Sequence, residues 1–189
     1  MRQFVLSTAG VLVSATIIAG NALAADWHLD VAQSRLEFVA SFQGNEVPGV
    51  FKEFTAELRL DPDTPQNNQL DVDVTVASAD MTSPEINAAI RSPTWFDFAN
   101  YSHAVFHSEK LRQTGAKQFV ANGVLRLKGV AKPIEVPFTW NVVNDTATVT
   151  GEFTVDRGSF GIGLGEWVAT DVVGASVKIR FNAMLRRTH

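Results

Sequence analysis

Three groups of residues in this chain have side chains that could do chemistry. The first is "DRGSFGIGLGEW" (156–167), where four glycines fall within eight positions between an acid, a base and a tryptophan. Such a loop cradles phosphate when its backbone N–H groups converge at a helix N-terminus. Here the chain runs irregularly from Trp167 to Gly174 and then alternates as a strand from Ser176 to Arg186, so that helix is missing. Glu166 and Val168 stand where G-x-G-x-x-G needs its third glycine, and no Gly-Lys-Ser/Thr follows. The remaining use for the glycines is positive φ and sharp bends at a rim. Phe160, Ile162, Leu164 and Trp167 then form an apolar flap. Arg157 has two uses: an ion pair with Asp156 that braces the rim, or a cation near the polar head of a ligand.

The second group is His103 and His107. On a helix, an i, i+4 pair would converge on one metal ion. Both histidines sit in an alternating run, however, and at ~3.3 Å per residue a strand sets them roughly 13 Å apart on an outward face. No metal and no cofactor are expected. The third group, Ser34 and Ser108 with the histidines, offers parts of a hydrolase triad, but there is no G-x-S-x-G elbow and no oxyanion loop. The chain has no cysteine, which excludes thiolate catalysis and Cys-based metal sites. No catalytic residue is assigned.

The elements that carry these residues are strands. Period-two alternation recurs eight times, through "SRLEFVASF", "KEFTAELRL", "LDVDVTVAS" and the segments 104–109, 119–128, 134–140, 147–155 and 177–186. Such alternation marks strands with one face in a core and one in water. "TGAK", "GVAKP" and Asn144-Asp145 supply tight turns between them. Consecutive antiparallel strands of this number can close into an up-and-down barrel, which removes the exposed edges. The segment "TSPEINAAIRSPTWFDFANY" (82–101) breaks the period. Thr82 or Ser83 can cap a helix that starts at Pro84, and Pro93 restarts a second helical turn. The fold class is therefore all-β, an eight-stranded antiparallel barrel with a short helical excursion around residues 82–100. The aromatics Trp95, Phe96, Phe98 and Tyr101 of that excursion either plug one end of the barrel or line its mouth.

The inward set mixes Ala40, Ala56, Ala104, Ala121, Ala147 and Gly151 with Phe38, Phe54, Phe106 and Phe153. Small residues facing large ones leave a channel or simply pack; alternation alone does not choose.

Residues 1–24 form a separate unit. Arg2, the apolar run Phe4–Ala19 and Ala22-Leu23-Ala24 are the parts of a cleaved secretory signal peptide. The mature domain is then 25–189, periplasmic and not membrane-embedded. The full chain carries a formal charge of −4, and one positive charge fewer once Arg2 is gone. Without a basic cluster it is a poor nucleic-acid binder.

On "WHLDVAQSRLEF", "GVFKEF" (49–54), "SPTWFDFANYSHAVFHS" (92–108), "GVLRLKGVAKPIEVPF" (123–138) and "DRGSFGIG" (156–163), in this order and spacing, the chain resembles the YceI-like family of periplasmic, lipocalin-like lipid-binding proteins. The resemblance implies a lipocalin-like barrel whose interior holds a long isoprenoid, quinone-type or fatty-acyl lipid. Set over the alternation, it implies ligand-binding side chains at Phe38, Phe42, Phe54, Leu58, Val74, Phe106, Leu125, Phe138, Trp140, Phe153 and Phe181. Trp95, Phe96, Arg157, Phe160 and Trp167 would join them at the mouth. A homodimer is compatible with the resemblance. Two other readings stay open: an enzyme acting on such a lipid, and a stress-linked interaction scaffold whose barrel is empty.

Overall fold

The computed structural model describes residues 25–60 and 67–188. The expected signal peptide, 1–24, lies outside the described residues. The strands are β1 (Ala25–Leu29), β2 (Arg35–Phe42), β3 (Asn45–Phe51), β4 (Phe54–Leu60), β5 (Gln69–Thr75), β6 (Ala79–Asp80), β7 (His103–Gly115), β8 (Gln118–Leu127), β9 (Val130–Val143), β10 (Thr146–Asp156) and β11 (Ser176–Arg187). Eight of them close an antiparallel ring in the order β1-β4-β5-β7-β8-β9-β10-β11, sealed by β1 against β11 from Trp27↔Arg187 to Leu29↔Leu185.

The ring has eight strands, as the alternation predicts, but they are not the same eight. After β1 a 3-10 turn (Val31–Gln33) redirects the chain. β2 then replaces β1 as the neighbour of β11, from Asn182↔Arg35 to Lys178↔Val39. β2 and β3 form a hairpin outside the ring order, and β3 goes on to pair with β6 at Val50↔Asp80. The first alternating run is thus a wall extension, while the short β1, cut off by its turn, takes the place in the ring. β3 escapes the sequence pattern because Pro48-Gly49 interrupts it. Proline is tolerated there because β3 is paired on both sides only at its C-terminal end.

Two hairpins turn through left-handed pairs, Gln43-Gly44 (φ 49° and 80°) and Lys128-Gly129 (φ 49° and 75°), the geometry that matches strand twist. The predicted turn "GVAKP" is accordingly narrower, since Val130 already pairs with Leu127. Asn144-Asp145 is the hairpin turn expected, with Val143 opposite Thr146.

The excursion contains one regular helix, α1 (Pro84–Ala89). Ser83 is its cap, its side chain accepting from the Ile86 N–H. The rest is hydrogen-bonded turns, not the second helical turn predicted after Pro93. Asp80 ties down its start, pairing with Lys52 (2.5 Å) and accepting from the Thr82 N–H and the Asn87 side chain (2.9 Å each).

The two ends of the barrel differ. At the lower end, marked by the Asn144-Asp145 turn, the interior is solid. Trp27 and Trp140 meet edge to face at 5.1 Å, Phe119 stacks on Phe138 at 5.6 Å, and Ala121 and Ala147 are fully buried among them. At the upper end the hydrogen-bond ladder between β9 and β10 stops at Thr139↔Thr150. The main-chain N–H of Trp140 donates to the Lys117 carbonyl on the other side, so the main-chain N–H groups of the odd-numbered residues of β9 face β10. Pro137 and Pro133 are the next odd positions with no N–H to give, and the ladder ends before them.

Candidate functional site

Above the solid end lies a cavity of about 510 Å³, within the range of about 300–1,000 Å³ usual for small-molecule sites. Its floor is Leu58, Val136, Phe138 and Leu185; Phe106, Leu125, Phe153 and Phe181 form the middle of its wall; Phe38, Phe54 and Val74 stand higher. Among the small residues, Ala40, Ala56 and Ala104 line it, whereas Ala121 and Ala147 do not. Ser41, Glu85 and Arg157 border it, but its surface is almost wholly hydrocarbon. Phe42 and Ile86 both line the cavity and are exposed to solvent, which marks an opening between the β2–β3 hairpin and α1.

The roof is made of the excursion and the glycine loop together. Thr94 accepts from the Gly163 and Leu164 N–H groups (2.8 and 3.0 Å), and Trp95 lies 5.8 Å from Trp167. Lys128 donates to the Pro93 and Gly161 carbonyls (2.7 and 2.6 Å), which joins the two segments from the β8–β9 turn. Burial pushes the Lys128 ammonium below its ordinary range, against the opposing pull of the Asp97 carboxylate. Trp95, Phe96, Phe160, Ile162 and Trp167 project from this roof into the cavity.

Arg157 pins the roof. It is 3% exposed, and its five N–H groups are all spent on backbone carbonyls. Nε donates to Gly174, Nη1 to Ile162 and Gly163, and Nη2 to Trp167 and Val173, at 2.6–3.0 Å. Neither use predicted from sequence matches. Asp156 is not its partner; it accepts from the Ser159 N–H instead (2.7 Å). No donor is left for a ligand head group either. The guanidinium replaces the ladder that an irregular loop lacks. Gly163 (φ 73°) is needed because a Cβ there would overlap Arg157 Nη1.

The other candidates for chemistry are kept apart. His103 and His107 stay outside the barrel, paired separately with Asp73 (2.6 Å) and Asp71 (2.5 Å). Ser108 accepts from the Leu70 N–H (2.6 Å), and Ser34 donates to the Asp30 carbonyl (2.7 Å) while accepting from the Met184 N–H (2.9 Å). Ser108 ties β7 to β5, Ser34 ties the turn after β1 to β11, and neither meets a histidine. Of the expected ligand-binding set, Trp140 is misplaced: it faces inward, but against Trp27 beneath the floor rather than on the cavity surface. The sequence pattern missed Val47 and Phe51 of β3, and Glu85 and Ile86 of α1, all on the cavity surface. Val47, Gly49 and Phe51 do alternate, and the glycine among them hides it. Gly49 leaves room for the Phe38 ring, which a Cβ would strike.

The model of the YceI-like domain matches residues 27–185. A UPF0312 protein of Pseudomonas savastanoi pv. phaseolicola is 32% identical over 133 residues, covering 69% of each chain. Among solved structures, Burkholderia cenocepacia BcnA superposes with a TM-score of 0.79 at 29% identity, over 82% of this chain and 98% of that one. A polyisoprenoid binding domain from Saccharophagus degradans superposes with a TM-score of 0.69 at 15% identity, over 86% and 98%. The closed barrel, its extent and these likenesses agree: the chain belongs to the YceI-like family.

Proposed function

We propose that the protein is a periplasmic carrier or sequestering protein that holds one long-chain lipid, of isoprenoid, quinone-type or fatty-acyl character, in the upper half of its barrel, with no chemistry of its own. The observation that carries this reading is the cavity, enclosed by strands and roof yet faced almost wholly with hydrocarbon. Each methylene moved into such a space from water contributes about 0.8 kcal/mol, so a tail gains on the order of 10 kcal/mol gross before ordering costs reduce it. The name of the Saccharophagus degradans neighbour, a polyisoprenoid binding domain, points the same way for the cargo. The separation of the serines from the histidines supports carriage over catalysis. Export rests on the composition of residues 1–24, and exported protein should begin at Ala25, as N-terminal sequencing would show.

The deciding experiment is native mass spectrometry of protein purified from its own periplasm, followed by organic extraction. A defined long-chain lipid at one per chain is expected. Protein consistently found empty would overturn the reading in favour of a ligand-free scaffold. A lipid converted to product in the protein's presence, with conversion lost on replacing one polar residue, would replace it with an enzyme.

A further inference from the structure

Single exposed apolar side chains are ordinary on a protein surface, but a cluster of them marks a contact face. Nine large apolar residues stand exposed among the described residues, and five of them lie at the roofed end of the barrel. These are Phe42, Ile86, Leu164, Val168 and Val172, from 37% to 60% exposed. They come from three segments that frame the opening. The Gln43 N–H donates to the Val172 carbonyl (2.7 Å) and Phe42 pairs with Val173, which sets the tip of the β2–β3 hairpin against the roof loop. Ile86 stands across the opening on α1, and Leu164 is held to the excursion through its N–H bond to Thr94. Phe42 and Ile86 also line the cavity, so the outer apolar surface is continuous with the inner one.

The charges around this rim have one sign. The segments 42–47, 84–89 and 158–175 carry Glu46, Glu85, Glu166 and Asp171, all exposed, and not one lysine or arginine. Lys178 reaches Glu46 from β11 (3.4 Å), whereas Glu85, Glu166 and Asp171 make no ion pair among the described residues.

We propose that this rim docks on the surface of a zwitterionic lipid bilayer, with Leu164, Val168 and Val172 among the headgroups and the opening turned to the hydrocarbon. The proposal rests on the carrier reading and adds where the cargo is exchanged. A tail that left the cavity through water would give up with every methylene what burial supplies, and a docked rim offers it an apolar path instead. A bilayer is the source of such a cargo, and a fluid surface needs no matching shape from three separate segments. The charges choose the kind of bilayer. Ethanolamine and choline headgroups hold their cation outside the phosphate, where the rim carboxylates meet it; an anionic headgroup without that cation repels them. A second copy of the chain would set the same carboxylates against one another.

The test is flotation of the mature protein with vesicles of phosphatidylcholine and phosphatidylethanolamine, beside its melting temperature and its lipid content by native mass spectrometry. The wild type should float. Val168→Asp and Leu164→Asp should each raise the vesicle concentration for half-binding about tenfold. Either variant carries the test if the other fails to fold. Val143→Asp, exposed at the opposite end, should leave it unchanged. All three should keep the melting temperature and the lipid content of the wild type. Replacing half of the phospholipid by phosphatidylglycerol should weaken binding about threefold, and Glu166→Gln with Asp171→Asn should remove that difference. Wild type that carries lipid yet stays in solution would overturn the docking, hand the rim to a protein partner and leave the carrier reading standing. A dimer in sedimentation that Val168→Asp abolishes, with no flotation, would assign the rim to a second copy. Flotation unmoved by Val168→Asp and Leu164→Asp, or strengthened by phosphatidylglycerol, would equally overturn it. Protein that neither floats nor carries lipid would overturn the carrier reading and the docking together.

Discussion

The lower and upper halves of the barrel share most of their strands, in the same alternation and with similar side chains, yet one is solid and the other hollow. Below, Trp27 and Trp140 meet across the interior, Phe119 stacks on its cross-strand neighbour Phe138, and Ala121 and Ala147 are fully buried. Above, alanines at 56 and 104 and phenylalanines at 54 and 106 bound open space. The difference lies in the wall. The β9–β10 ladder ends before Pro137, and β2–β3 replaces β1 beside β11 in the upper wall. Residue size alone does not make a cavity; the distance between the walls does.

This contrast can be broken or sharpened by substitution. The largest effect is expected at the solid end, where Trp140→Ala removes half of the indole pair and should cost about 3–5 kcal/mol in chemical denaturation. A loss under about 1 kcal/mol would mean that the lower interior is looser than its contacts indicate. Arg157→Ala strips donors from five carbonyls at once. Each buried acceptor left unmet costs about 1–3 kcal/mol, tempered where water enters the opened roof, so a net loss of about 3 kcal/mol is expected. Hydrogen exchange should show this loss concentrated in 82–101 and 157–175, not in the ring.

The paired insertions Ala121→Trp and Ala56→Trp test the contrast directly. Overpacking at Ala121 should cost about 1–3 kcal/mol or more. At Ala56 the ring has room, so the melting temperature of ligand-free protein should stay close to that of the wild type while retained lipid, read by mass spectrometry, is lost. Equal destabilisation by both would mean the upper half is as solid as the lower.

A smaller effect concerns the anchoring of the roof. Lys52, Asn87 and the Thr82 N–H hold the Asp80 carboxyl well below its usual range. Because the folded pKa is depressed, the anchoring is fully present above the ordinary value of about 3.9 and is lost as pH falls through the lower folded value. The indole N–H resonances of Trp95 and Trp167 should therefore hold steady from neutral pH to about 4, and shift only below it. Asp80→Asn should shift them already at neutral pH. Least affected should be His103→Ala and His107→Ala on the outer wall. Exposed ion pairs contribute about 0–1 kcal/mol, and both variants should hold ligand as the wild type does, chemically unchanged.

How much of this was legible in the sequence depends on the range of the interaction. Period two is local, so "KEFTAELRL" and "LDVDVTVAS" disclose their inward faces without any partner, and the capped start at Ser83-Pro84 discloses its helix. Phe54, Leu58 and Val74 are correctly turned inward for that reason. Trp140 shows the limit, because alternation gives the side of the wall on which a residue lies but not its height or what stands opposite. The role of Arg157 was hidden for a related reason. Its partners are main-chain carbonyls, which every residue carries, so no side-chain pattern marks them. From the sequence alone come eight of the strands, their inward faces, the excursion and the need for glycine in the loop at 158–165. The tertiary structure decided where the barrel is hollow and that Arg157 spends its donors on the roof. Both depend on separations between chain segments far apart in sequence, set by ring closure.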